Sequence, residues 1–227
     1  MAFEAVIFDE GDTLYDASFW RKELYKKLSQ MGYKKSFYGM VSAWEQKLVM
    51  PYEGKKSYRK AFEEFITSLG FNRAQLKEIT EFSESLKNLV PKKRKLFPGE
   101  KTTLASLKDK GIMLAVLSDS ELGEKKHRET LEALGIGSLL GVIVCSCETG
   151  YVKPQKQAYL KALERLGLPA AKALFVSHDQ EELLGAKEAG LTTVSFNDKV
   201  YSPKDNEADH SIKSFPELLP ITLEKKP

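Results

Sequence analysis

The sequence predicts an α/β protein: a parallel sheet flanked by helices, interrupted near its start by an inserted four-helix domain. Two observations carry this. After residue 98, short apolar runs alternate with helical stripes, whereas between residues 16 and 95 four helical stripes follow one another with no strand between them. Composition shifts at the same boundaries. Residues 16–95 hold 18 Lys/Arg against 9 Asp/Glu, and 13 of the 23 aromatic residues.

Taken in order, residues 3–8 (FEAVIF) form an apolar run that ends at Asp9, suited to a strand buried on both faces. Trp20, Leu24, Leu28 and Met31 recur at helical spacing, and Gly32 supplies a stop. A second stripe is Met40, Val41, Trp44 and Leu48, closed by Pro51; a third is Tyr58, Phe62, Phe65, Ile66 and Leu69, followed by Gly70. Asn72 caps a fourth helix carrying Leu76, Ile79, Leu86 and Leu89, which Pro91 ends. Beyond residue 98 the expected strands are 112–117 (IMLAVL), 141–145 (GVIVC), 172–176 (KALFV) and 191–196 (LTTVSF). Leu104/Leu107, Leu131/Leu134, Tyr159/Leu160/Leu163/Leu166 and Leu183/Leu184 mark the helices between them.

Composition excludes several classes. With 35 Lys/Arg against 32 Asp/Glu, the net charge of +3 is too small to mark a nucleic-acid-binding protein. No apolar run approaches the roughly 18 residues of a membrane span. The first residues, MAFEAVIFDEGDTLYD, carry acids where an export signal has basic and then small residues. Cys145 and Cys147 cannot build a disulfide framework, so a reducing, cytoplasmic setting is expected.

In a parallel α/β sheet, ligands bind at the carboxyl ends of the strands. Those ends carry Asp9-Glu10-Gly11-Asp12-Thr13, Ser118-Asp119-Ser120, Lys153-Pro154 beyond the third strand, and Ser177-His178-Asp179-Gln180-Glu181-Glu182. A carboxylate nucleophile beside a divalent cation can accept a phosphoryl group, while Lys and Ser hold the phosphate oxygens.

On these residues the chain resembles the haloacid dehalogenase-like hydrolase superfamily. The motifs FDEGDTL, LSDS, GYVKP and FVSHDQEELLGAKEAG stand in that family's order. Phe97-Pro98-Gly99 resembles its return to the core, and Ala208-Asp209-His210 its C-terminal segment. The resemblance implies a Rossmann-like core over residues 1–15 and 96–227 and a helical cap over 16–95. It makes Asp9 the nucleophile, and Ser118, Asp119 and Lys153 the phosphate-binding residues. It implies Mg²⁺ (or Mn²⁺), held by Asp9, the Gly11 carbonyl, and Asp179 or Glu182. The implied substrate is a small phosphorylated metabolite.

Two positions depart from the family's pattern. The second Asp of its phosphatases, a general acid two residues after the nucleophile, is Gly11 here, with Asp12 following. The first metal-binding Asp of the fourth motif falls on His178, with Asp179 next. The expectation is a metal-dependent phosphatase in which Asp9 forms an aspartyl-phosphate, with Asp12 the candidate acid; either Asp12 and Asp179 serve, or the site has lost ordinary phosphatase chemistry. Two alternatives stay open: a metal-independent dehalogenase-type reaction at carbon, and a non-catalytic binding or regulatory protein that keeps the fold.

Overall fold

The computed structural model describes residues 3–196 and 208–223. Strand β1 (Ala5–Phe8) is buried along its whole length, and its side chains divide by the two-residue period of a strand. Val6 and Phe8 enter one apolar cluster, with Val116, Leu174 and Phe215. Ala5 and Ile7 enter another, with Ala115, Leu117, Tyr159 and Phe175. Both faces are covered by helices, which is why the strands read as continuous apolar runs rather than as alternations.

From β1 the chain departs into helices α1 (Phe19–Gln30), α2 (Phe37–Glu45), α3 (Val49–Tyr52), α4 (Tyr58–Ser68), α5 (Arg73–Ser85) and α6 (Val90–Lys93). Their inward stripes make a third cluster, including Leu24, Leu28, Met40, Trp44, Phe62, Phe65, Ile66 and Ile79. Trp44 is its hub, with ring centroids of Phe65, Phe62 and Trp20 at 5.2, 5.7 and 5.8 Å. Ser36 and Ser57 cap α2 and α4, and Asn72 with Gln75 forms a reciprocal capping box on α5. The four expected helices are present, but two prolines act differently from expectation. Pro51 lies inside the short α3 instead of closing α2, and Pro91 opens α6, where its missing N–H costs nothing.

The chain returns past Leu96, which bridges Tyr15, while the Asp16 N–H donates to the Lys95 carbonyl at 2.9 Å. It continues through α7 (Glu100–Asp109), β2 (Met113–Ser118), α8 (Glu124–Ala133), β3 (Val142–Cys145), α9 (Ser146–Thr149) and α10 (Lys156–Leu166). Then follow β4 (Ala173–Ser177), α11 (Gln180–Glu188), β5 (Thr192–Phe196), β6 (His210–Ile212) and α12 (Leu218–Leu223). The six strands are all parallel, in the order β3-β2-β1-β4-β5-β6. Strand β6 was not expected: three residues are too few for a periodic pattern to register. Among the described residues no helix is long and apolar enough to cross a membrane.

This order decides where chemistry can occur. β1 lies between β2 and β4, and the connections leave it in opposite directions, so the loops after β1, β2 and β4 converge at one edge of the sheet.

Candidate active site

Asp9 is the first residue past β1, and its N–H donates to the Val176 carbonyl of β4 at 2.9 Å. Its buried carboxylate is held on both oxygens. Lys153 Nζ donates to Oδ1 at 2.5 Å; Thr13 Oγ1 donates to Oδ2 at 3.0 Å, and His178 Nδ1 stands 3.4 Å from the same oxygen. Desolvation works against ionisation here, but the Lys153 ammonium and His178 overcome it and hold the carboxyl well below the usual range. Asp9 is therefore an anion at neutral pH, the state a nucleophile needs.

Lys153 is buried and bridges Asp9 to Glu182, with Nζ 2.8 Å from Glu182 Oε1. Burial alone would discharge it; Asp9, Glu182 and Asp119 together raise its pKa well above the ordinary value. Glu182 receives a second hydrogen bond, from Ser177 Oγ to Oε2 at 2.7 Å, and its pKa is pushed up by desolvation and by the charge of Asp9. Asp119 accepts the Lys153 N–H on both oxygens, at 3.0 and 3.2 Å, and desolvation lifts its pKa to about 6. Ser118 ends β2, buried, at the same sheet edge.

Asp12 sits differently from the expected acid. It is the one non-glycine residue with a left-handed backbone among those described, at φ 59°, and its carboxylate faces the inserted helices. Oδ1 accepts the Ala17 N–H at 2.9 Å, and Oδ2 is paired with Arg21 of α1. Gly11 needs no special torsion. Asp179 caps α11, accepting the Glu181 and Glu182 N–H groups on Oδ1 at 2.8 and 3.2 Å.

A cavity of 260 Å³ opens beside this cluster, lined by Asp12, His178, Asp179 and Gln180 from the core loops and by Tyr38, Val41, Ser42 and Glu45 of α2. Sequence reasoning missed four groups that shape the site. Thr13 and Ser177 lie within the motifs that were read, and only the geometry shows what each hydroxyl holds. Tyr159 donates to the Glu182 carbonyl at 2.7 Å. Glu10, buried beside the nucleophile, accepts from Tyr15 Oη at 2.8 Å and meets His127 Nδ1 at 2.5 Å, which pins the far side of the loop.

The family model described as "Haloacid dehalogenase-like hydrolase" matches residues 6–196. The chain belongs to this family. A haloacid dehalogenase-like hydrolase of Methanothermobacter thermautotrophicus, named glyceraldehyde 3-phosphate phosphatase, is 28% identical over 93% of this chain and 92% of its own. One of the same name from Methanocaldococcus jannaschii is 26% identical over 98% of both chains. Among solved structures, the fold matches L-2-haloacid dehalogenase from Xanthobacter autotrophicus, with chloropropionic acid covalently bound. That likeness has a TM-score of 0.66 and 17% identity, over 95% of this chain and 96% of the other.

Phosphatases of the family generally use Mg²⁺, so the residues expected to hold it require a test. Mg²⁺ demands near-octahedral oxygen ligands at roughly 2.0–2.1 Å. Here both Asp9 oxygens, both Glu182 oxygens and Asp179 Oδ1 already have protein partners. Among the described residues no three His, Cys, Asp or Glu side chains are gathered as a metal site. The set Asp9, Gly11, Asp179 and Glu182, as arranged, does not fit the ion.

Proposed function

We propose that this hydrolase is a cytoplasmic phosphatase of small phosphorylated metabolites, with residues 16–95 acting as a cap over the site. The observation that carries the reading is the ionised Asp9 carboxylate, poised at the strand edge against the Lys153 ammonium. In this reading an Asp9 oxygen attacks phosphorus, the bond to the leaving oxygen breaks, and that oxygen departs as an anion that takes its proton from solvent water. Water then cleaves the aspartyl-phosphate to inorganic phosphate and regenerates Asp9. Lys153, with Ser118 from the end of β2, holds the phosphoryl oxygens. The two full-length relatives named as phosphatases of a three-carbon phosphate support the substrate class. The test is phosphate release from a panel of phosphate esters by wild type and Asp9→Asn. Release by the wild type that disappears in the variant supports the reading, and release by both overturns the role of Asp9.

A second reading is favoured by one observation: position 11 is glycine and the expected metal ligands are engaged elsewhere. Attack of Asp9 on carbon with loss of halide needs neither an acid at 11 nor a metal. Halide release from 2-halocarboxylic acids, absent phosphate release, would select it.

A further inference from the structure

His178 follows directly on β4, and its ring is turned to the nucleophile. Nδ1 lies 3.1 Å from Thr13 Oγ1 and 3.4 Å from Asp9 Oδ2. The protons around it can be assigned by counting. Ionised Asp9 only accepts, so the single hydroxyl hydrogen of Thr13 goes to Asp9 Oδ2; the Thr13 oxygen must then accept from His178, and Nδ1 carries the proton.

Charged groups surround this ring on each side. Asp9 and Asp12 come from the loop after β1, and Asp179 and Glu182 from its own loop and helix. Lys153 comes from the loop before α10, and Glu45 of α2 faces it from the inserted helices, with Arg21 of α1 close behind. Both oxygens of the Asp9 carboxylate are thus already met by protein donors, Lys153 on Oδ1 and Thr13 with His178 on Oδ2.

We propose that His178 occupies the side of Asp9 on which a divalent cation would bind, so that the site works without Mg²⁺ and excludes it. The inference rests on Asp9 being the reacting carboxylate of the proposed function. It gives the departure at position 178 a physical meaning: an imidazole fills the place of a carboxylate ligand, and its Nδ1, which carries a proton toward Thr13 and Asp9, cannot ligate a metal ion.

The experiment is a calorimetric titration of the full-length chain with MgCl₂, repeated on His178→Asp. The wild type should give no saturable heat at millimolar Mg²⁺, and its Tm should not move when the ion is added. His178→Asp should bind with an affinity raised by about 10–100-fold, the range in which groups around a metal act, and should gain Tm with Mg²⁺. Hydrolysis by the wild type should survive EDTA. Stoichiometric, saturable Mg²⁺ binding by the wild type overturns the proposal, as does activity lost in EDTA and restored by Mg²⁺. A variant that folds yet remains indifferent to Mg²⁺ also overturns it. If the variant does not fold, the wild-type titration alone decides. Should no phosphate ester be turned over, the phosphatase reading fails while the titration still answers the metal question.

Discussion

Arg21 of α1 is ion-paired with Asp12 of the loop after β1, so the first inserted helix grips the loop that carries the nucleophile. Asp12 suits this place for a conformational reason: short polar side chains tolerate the left-handed backbone that φ 59° requires. With Oδ1 on the Ala17 N–H and Oδ2 on Arg21, the carboxylate clamps the loop to the helix.

Asp12→Asn should therefore lower stability without changing leaving-group preference. The amide oxygen keeps the Ala17 bond, and the ion pair is lost at a cost of about 1–3 kcal/mol. Urea unfolding reads the first effect. The ratio of aryl to alkyl phosphate turnover reads the second; a ratio that climbs in the variant would show that Asp12 is the acid after all.

Gly11→Asp should improve alkyl phosphates selectively. The position has no left-handed torsion, and an added Cβ would meet only Ala17 Cβ, at 3.5 Å, an ordinary contact. A general acid placed there lets an alkoxide leave protonated. The gain is at most roughly 10²–10⁴-fold, and aryl phosphates, whose leaving groups need no proton, should change little. Equal changes for both substrates would count against a missing acid.

Lys153→Met should unfold the site more than it simplifies it. Removing the ammonium leaves Asp9 and Glu182 as neighbouring carboxylates with their bridge gone, a loss on the order of 3–5 kcal/mol. Adding Glu182→Gln should recover part of that loss, because the amide needs no counter-charge once the ammonium is gone. Chemical denaturation of the two variants checks this, and a double variant no more stable than the single one would contradict it.

Much of this was legible before the structure. The buried strands betrayed themselves as apolar runs, and the strand ends named Asp9, Ser118 and Lys153 because a parallel sheet brings its carboxyl edges together. Asn72 announced its helix because capping chemistry is local. What stayed hidden was non-local. Nothing in the spacing says that Tyr15 and His127 both reach Glu10, or that Asp12 turns to Arg21 and leaves Asp9. Position 179 looked like a ligand because a carboxylate at a strand end can serve either a metal or a helix N-terminus, and sequence does not distinguish the two.

Glu100 opens α7 with a fully buried side chain. Oε2 accepts the Phe97 N–H at 3.1 Å, whereas Oε1 has no hydrogen-bond partner among the described residues. Burial pushes its pKa up to about 8, against which the Phe97 N–H is only a partial offset. The sign follows from linkage. A carboxyl whose folded pKa lies above its unfolded value binds its proton more tightly in the native state. Its contribution to stability is complete below about pH 4.5 and is lost as pH rises toward 8. The penalty accrued over that window is on the order of 2–5 kcal/mol, since one pKa unit is worth about 1.4 kcal/mol. Glu100→Gln keeps an acceptor for the Phe97 N–H and cannot ionise, though its amide hydrogens then take the unpartnered place. The variant should equal or fall slightly below wild type at pH 5 and surpass it at pH 8–9, with the gap in Tm widening through the interval. Parallel Tm–pH curves for the two proteins would show that Glu100 titrates alike in the folded and unfolded states, and would overturn the prediction.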